Sequence, residues 1–282
     1  MSIHPLAVVH PTANVGRGVR IGPFCVVESD VTIGEGCTVW SHAVIKSGTT
    51  LGADNQVCEA AVLGGLAQHA KMPPHPGTVI IGNRNTIRES CTIHRAMKEG
   101  EATVIGDDNM LMVNAHVAHD CHLGNQIILT NNTLLAGHVT VGDRAYISGA
   151  VAVHQFCRVG SLAMVGGQAH ITQDVPPYVT VDGLSSYVVG LNQVGLRRAG
   201  YVVEDIRRLK AAYRVIYRSG LRWAESLARL KAEFSQGPAA EFYRFLSATT
   251  RGIVSERRLP PGATIKLRHD AKDEPAVRVK AG

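Results

Sequence analysis

The stretch Val15-Gly16-Arg17-Gly18-Val19-Arg20-Ile21-Gly22-Pro23-Phe24-Cys25-Val26-Val27-Glu28-Ser29-Asp30-Val31-Thr32-Ile33 carries an aliphatic residue at every sixth position. A period of six matches neither the 3.6 of an α-helix nor the 2 of a long strand, and it marks a structural repeat. The register extends in both directions. Of its 29 positions from Ile3 to Ile171, only His69, His75 and Glu99 are not aliphatic. Glycine often follows the aliphatic residue, as at Gly22, Gly34, Gly52, Gly106, Gly124 and Gly142, which suits tight corners between short strands.

This pattern predicts a mainly β fold, a parallel β-helix in which each short strand sends one aliphatic side chain into a shared interior. About nine coils spaced ~4.8 Å apart give a prism roughly 45 Å long. Residues two before the aliphatic slot share its inward face, and five of the six cysteines sit there: Cys25, Cys37, Cys91, Cys121 and Cys157. They read as small buried spacers. The interruptions near 66–78 and 96–102 read as protruding loops, which are common carriers of binding groups on a rigid scaffold.

Beyond Ile171 the segment Gln173-Asp174-Val175-Pro176-Pro177-Tyr178 breaks the repeat. Ile206, Leu209, Tyr213 and Ile216 then fall at helical spacing, with further helices suggested by Leu227, Leu230, Phe234 and by Phe242, Phe245, Leu246. The expected organisation is therefore a β-helix over 1–189, a small C-terminal α-helical domain over 190–253, and a weakly structured basic extension over 254–282.

Charge divides at the same place. Residues 1–189 carry 10 Lys/Arg against 14 Asp/Glu, and residues 190–282 carry 19 against 9. The basic second part suits an acidic partner, whether nucleic acid, an acidic carrier protein or a phosphate-bearing ligand. No CxxC pair occurs, which fits a reduced compartment, and no run of about 18 apolar residues exists to cross a membrane. Met1 to His10 shows no charged leader. The expectation is a soluble cytoplasmic protein.

Histidines cluster in the later coils, most densely in Asn114-Ala115-His116-Val117-Ala118-His119-Asp120-Cys121-His122. His119 occupies neither inward slot and should face outward. Residues 18 apart lie on one face in successive coils, so Gly137 falls over His119, Gln155 one coil further, and His138 over Asp120. A neutral imidazole can take a proton from a hydroxyl, and a nearby backbone N–H can stabilise the oxyanion of acyl transfer. No GxSxG nucleophile motif appears, so direct attack by the acceptor is expected rather than a covalent acyl-enzyme.

Several segments together resemble the UDP-N-acetylglucosamine O-acyltransferases of lipid A biosynthesis: Ile87-Arg88-Glu89-Ser90-Cys91-Thr92-Ile93-His94-Arg95, His116 to Cys121, Leu135-Ala136-Gly137-His138-Val139, Val153-His154-Gln155-Phe156, Val165-Gly166-Gly167 and Ile216-Tyr217-Arg218-Ser219-Gly220. The likeness covers residues 1 to about 253. It implies a left-handed triangular β-helix and a cytoplasmic homotrimer with sites between adjacent prisms. It also implies transfer of a 3-hydroxyacyl chain from acyl carrier protein to the sugar 3-hydroxyl, without cofactor or nucleic acid. By motif match, His119 is the general base and the Gly137 N–H the oxyanion donor. Lys71, His69, His116, Asp120, His138, His154 and Gln155 belong to the sugar and thioester pocket, Asn192 and Arg198 to the nucleotide stretch, and Gly167 to the control of acyl-chain length. Where the family carries Asp two residues before a lysine, this chain has His69 before Lys71. Val194 and Ala199 replace a glutamate and an arginine usual in the nucleotide stretch.

Other readings stay open on the sequence: an acetyl-CoA-dependent hexapeptide acetyltransferase, the pathway's N-acyltransferase, a relative with altered sugar or acyl specificity, or a non-catalytic scaffold. A γ-class carbonic anhydrase would need three zinc-binding histidines, drawn from His116, His119 and His122.

Overall fold

The computed structural model describes residues 1–71 and 73–257; most of the expected 254–282 extension lies outside the described residues. Most strands are two residues long and rotate through three parallel sheets. Ser2–Ile3 pairs with Arg20–Ile21, Val8–Val9 with Val26–Val27, and Asn14–Val15 with Thr32–Ile33, a coil of 18 residues in each case. These pairs begin what we term the first, second and third faces of a triangular prism.

The sequence register is the buried column. Ile33, Ile45, Leu51, Leu63, Ile81, Ile93, Leu111 and Leu129 are at most 1% exposed, each removing an aliphatic side chain from water at about 25 cal/mol per Å². All six cysteines are buried free thiols, including Cys58, and burial pushes Cys91 up to about 12, so these thiols are packing groups. The second inward slot also holds asparagines. Asn55, Asn85 and Asn109 form a ladder in which the Asn85 N–H donates to Asn55 Oδ1 and the Asn109 N–H to Asn85 Oδ1 (2.9 and 2.8 Å), so each buried amide is satisfied by the next coil.

The glycines after the aliphatic slot have a different cause from the one expected. The left-handed corner residue lies three before the aliphatic slot and is usually not glycine: Asp120, His138 and Phe156 have φ of 60°, 62° and 64°. The glycines are needed for coil stacking instead. A Cβ at Gly34 would lie 2.4 Å from the Gly52 carbonyl, and one at Gly106 would lie 2.6 Å from the Gly124 oxygen.

Two insertions change the register on one edge only. Val62 pairs with Thr92 across 30 residues instead of 18, and Thr92 with His116 across 24. The extra twelve and six residues leave the prism between its second and third faces, after Val62–Gly65 and Thr92–His94. The loops brace each other where the Gly77 N–H donates to the Ala96 carbonyl (2.9 Å).

At the far end Val179–Val181 adds in parallel to Met164–Val165 and turns back antiparallel as Val188–Leu191. Helices α1 (Gln193–Arg198), α2 (Val203–Arg218), α3 (Trp223–Glu233) and α4 (Ala240–Ser247) follow. Leu196, Leu209, Leu230 and Phe242 bury together against Leu162 and Tyr178 of the prism end. None of the described helices is long and apolar enough to cross a membrane.

Gly34→Ala should lower stability by about 1–3 kcal/mol through overpacking. Ala150→Gly should be neutral or stabilising, because Ala150 already sits at φ 55°. Thermal denaturation of the two variants tests this, and equal or reversed effects would contradict the stacking account.

Candidate active site

The edge between the second and third faces, the one from which both loops leave, also carries His119, Gly137 and Gln155 in successive coils. His119 lies outside the prism, yet its side chain is only 14% exposed because neighbours cover it. A Cβ at Gly137 would lie 2.5 Å from His119 Cε1 and 2.7 Å from Nε2, so only glycine allows the imidazole this position. The His69 and His138 rings meet the His119 ring edge-on, with centroids 6.1 and 5.3 Å away.

Asp120 holds His119 from behind. Its Oδ2 lies 2.7 Å from His119 Nδ1, and its two oxygens accept from the Met97 N–H of the second loop at 3.2 and 3.3 Å. The Asp120 N–H donates to Thr103 Oγ1 at 2.8 Å. A carboxylate only accepts, so Nδ1 carries the proton and Nε2 presents its lone pair toward Gly137. The sequence reading put Asp120 among the pocket residues that touch substrate. Asp120 is 6% exposed, and its oxygens are engaged by His119 and Met97.

The Gly137 N–H donates to no described acceptor. At the edge between the third and first faces the equivalent N–H groups are taken by side chains: Asp107 N by Asn125 Oδ1 at 2.8 Å, and Asn125 N by Asp143 Oδ1 at 2.7 Å. On the His119 edge the Ser47 N–H is likewise taken by Glu28 Oε2 at 3.0 Å, but no described side chain takes that of Gly137. An outward N–H and an imidazole lone pair on adjoining coils can polarise a carbonyl and accept a proton.

The remaining histidines form a layered cluster. His116 Nδ1 pairs with Thr92 Oγ1 at 2.7 Å, and the His94 ring stands edge-on to His116 at 5.0 Å. His94 is buried and its Nδ1 has no partner. His138 stacks on Phe156 at 4.5 Å, while His154 and Gln155 are exposed one coil further on. His69 Nδ1 accepts the Lys71 N–H at 3.1 Å, and both residues are exposed. Sequence reasoning missed Phe156, Thr92 and Met97. The spacing of 18 pointed to the first; the other two depend on the six-residue insertion and on the loop's path.

Ligand atoms of His119, Asp120 and His138 lie within 4.8 Å of one another and are the described group that can hold a metal ion. The set His116, His119 and His122 does not converge within one chain: His116 is on the second face with Thr92, and His122 is exposed on the third.

Asn192, Arg198 and Gly167 lie elsewhere on the chain. Asn192 caps α1, its Oδ1 accepting from the Gly195 N–H at 2.9 Å and its Nδ2 donating to the Leu162 carbonyl at 2.9 Å. With Arg198 it lines a cavity of about 740 Å³ against Tyr146, Met164 and Thr180 of the first face. Gly167 lies on the edge between the first and second faces, exposed beside Gly149. The first face is opposite the His119 edge, so within one chain the His119 cluster and this cavity face away from each other.

Burial pushes His94 down to about 4, with His116 and His119 adding to the effect, and burial also lowers His116 and His138. These imidazoles are neutral at pH 7. Between about 4 and the unfolded value near ~6.5 the unfolded chain binds more protons than the folded one. Stability is therefore complete above that range and is lost as pH falls through it. His94→Gln should flatten this loss, by at most about 3 kcal/mol. Thermal denaturation across the window checks it, and an unchanged slope would contradict the assignment.

Residues 174–254 match the family described as UDP N-acetylglucosamine O-acyltransferase, domain 2, and residues 12–47 match the bacterial transferase hexapeptide of six repeats. The acyl-[acyl-carrier-protein]--UDP-N-acetylglucosamine O-acyltransferase of Janthinobacterium sp. (strain Marseille) is 47% identical over 258 residues, covering 89% of this chain and 98% of that protein. That of Verminephrobacter eiseniae is 48% identical over 259 residues, covering 90% and 99%. Among solved structures, the UDP-N-acetylglucosamine acyltransferase of Francisella novicida superposes with a TM-score of 0.88 at 35% identity, covering 91% of this chain and 95% of that one. The Bacteroides fragilis enzyme gives 0.86 at 38%, covering 89% and 99%. The likeness spans prism and helices alike: the fold is a left-handed parallel β-helix with a small C-terminal helical part, and this chain belongs to the UDP-N-acetylglucosamine O-acyltransferase family.

Proposed function

We propose that this chain transfers a 3-hydroxyacyl group from acyl carrier protein to the 3-hydroxyl of UDP-N-acetylglucosamine, the first step of lipid A biosynthesis. The observation that carries the reading is the convergence of His119 Nε2 and the unpaired Gly137 N–H on one outward space. His119 Nε2 takes the proton of the 3-hydroxyl as its oxygen attacks the thioester carbon. The Gly137 N–H stabilises the resulting oxyanion. When the intermediate collapses the C–S bond breaks, and the carrier thiolate takes the proton back from His119. Asp120 stabilises the imidazolium without accepting its proton. No cofactor beyond the carrier thioester takes part.

Lys71, His69, His116, His138, His154 and Gln155 surround this space and bind sugar and thioester; Asn192 and Arg198 bind the nucleotide. The two half-sites face away from each other within one chain, so the complete site lies between chains. A cyclic homotrimer sets the His119 edge of one prism against the cavity-bearing face of the next. The basic helical part receives the acidic carrier protein, and the enzyme works in the cytoplasm. Gly167, lacking a side chain, leaves the acyl channel longer than Met would.

One observation favours a second reading, a different sugar acceptor. His69 brings an imidazole, able to donate or accept, edge-on to the base. The 3-amino analogue of the sugar is therefore the informative competitor.

The assay incubates the protein with UDP-N-acetylglucosamine, its 3-amino analogue and a panel of carrier-protein thioesters, beside His119→Ala. Wild type should acylate the hydroxyl sugar, and His119→Ala should lower kcat by about 10²–10⁴. No transfer to either sugar would end the enzyme reading, and full activity in the variant would end the base assignment. Co-refolding inactive His119→Ala and Arg198→Ala chains should restore part of the activity, since mixed trimers contain junctions with both native half-sites. No recovery from trimers shown to be mixed would contradict the shared site.

A further inference from the structure

We infer that Arg144, on the prism and outside the family's nucleotide stretch, is a second cationic ligand for the diphosphate in the cavity lined by Asn192 and Arg198. The inference rests on the UDP-sugar reading above and deepens it.

Gln126, Arg144 and Leu162 are successive left-handed corner residues, 18 apart, with φ of 56°, 58° and 56°. They form a column on the edge between the third and first faces. Leu162 is the residue whose carbonyl receives the Asn192 side-chain amide (2.9 Å). Arg144 therefore lies one coil below the point where α1 is anchored, about 4.8 Å along the axis. Arg144 and Arg198 line the same cavity.

The charge balance of that cavity points to an anion. Two guanidiniums line it, Arg144 from the prism wall and Arg198 from the last turn of α1, and its lining contains no Asp or Glu among the described residues. Val194 and Ala199, on the helix beside Arg198, are neutral. Asp143, the acid next to Arg144 in sequence, accepts from the Asn125 backbone and side chain instead (2.7 and 3.3 Å). Arg144 makes one described side-chain bond, Nε donating to Gln126 Oε1 at 2.6 Å. That bond fixes the plane of the guanidinium from below and leaves both Nη groups for a ligand. Arginine binds phosphate oxygens through two parallel N–H donors, and the opposed Arg198 can take the next phosphate. The volume of about 740 Å³ is large enough for a nucleoside diphosphate.

The test is binding of UDP, uridine and pyrophosphate to the full-length protein by calorimetry, for wild type, Arg144→Ala and Arg144→Lys. Arg144→Ala should weaken UDP about tenfold and leave uridine unchanged, with Arg144→Lys between. In steady state Arg144→Ala should raise KM for UDP-N-acetylglucosamine and leave kcat and the carrier-protein KM near wild type. A folding defect would lower all of these together and shift Tm. Wild type that binds UDP, with Arg144→Ala binding it equally well, overturns the assignment of Arg144. Wild type that binds pyrophosphate through Arg144 but not UDP overturns the nucleotide reading and keeps Arg144 as an anion ligand. Wild type that binds none of the three overturns both.

Discussion

Everything in this molecule depends on one constraint: coils of 18 residues stack so closely that each backbone hydrogen-bonds the next throughout the prism. Stacking sets which residues are aliphatic, which are glycine because a neighbouring carbonyl lies where a Cβ would be, and which asparagines pair in the interior. It also turns sequence spacing into spatial neighbourhood. A residue 18 further along is one coil away on the same edge, which is why single glycines and histidines on such a scaffold acquire defined partners.

The histidine cluster lies where that constraint is relaxed. The twelve- and six-residue insertions leave from one edge, and there the loops bring His69 and the Met97 N–H to a pair of corner residues, His119 and Asp120. Asp120 takes the left-handed corner conformation that Asp30, His138 and Phe156 also take on this edge, at φ 60°, and that turns its carboxylate behind the imidazole of its neighbour. The N–H that Asn and Asp side chains take at the next edge remains unpaired at Gly137. An ordinary corner of the repeat thereby brings together an imidazole, a carboxylate and a backbone N–H, with no departure from the backbone geometry used elsewhere.

Much of this was legible in the sequence. The period of six gave the β-helix, and the spacing of 18 set Gly137 against His119 before any coordinates. The glycines after the aliphatic slot were legible as positions but not in their cause: the left-handed residues sit three before that slot, and the glycines answer to stacking. Asp120 reads in sequence as an outward corner position, which says nothing about a loop that folds over it. Met97 was beyond reach for the same reason, since loops obey no repeat, whereas His69 was legible only through its motif and not through the register. Arg144 reads in sequence as one more corner residue. Only the packing of α1 against Leu162 turns its surroundings into a cavity with two cations.

The His119 cluster and the cavity lined by Asn192 and Arg198 lie on opposite sides of one prism. The proposed mechanism depends on the proton being held at His119 Nδ1 by Asp120, so that Nε2 can act as the base. Histidine 15N NMR of the wild-type protein at neutral pH, with His119→Gln used to assign the signal, tests this most directly. The account predicts a neutral His119 ring protonated at Nδ1, with its Nε2 shift that of an unprotonated nitrogen. A ring protonated at Nε2, or one doubly protonated at neutral pH, would contradict it.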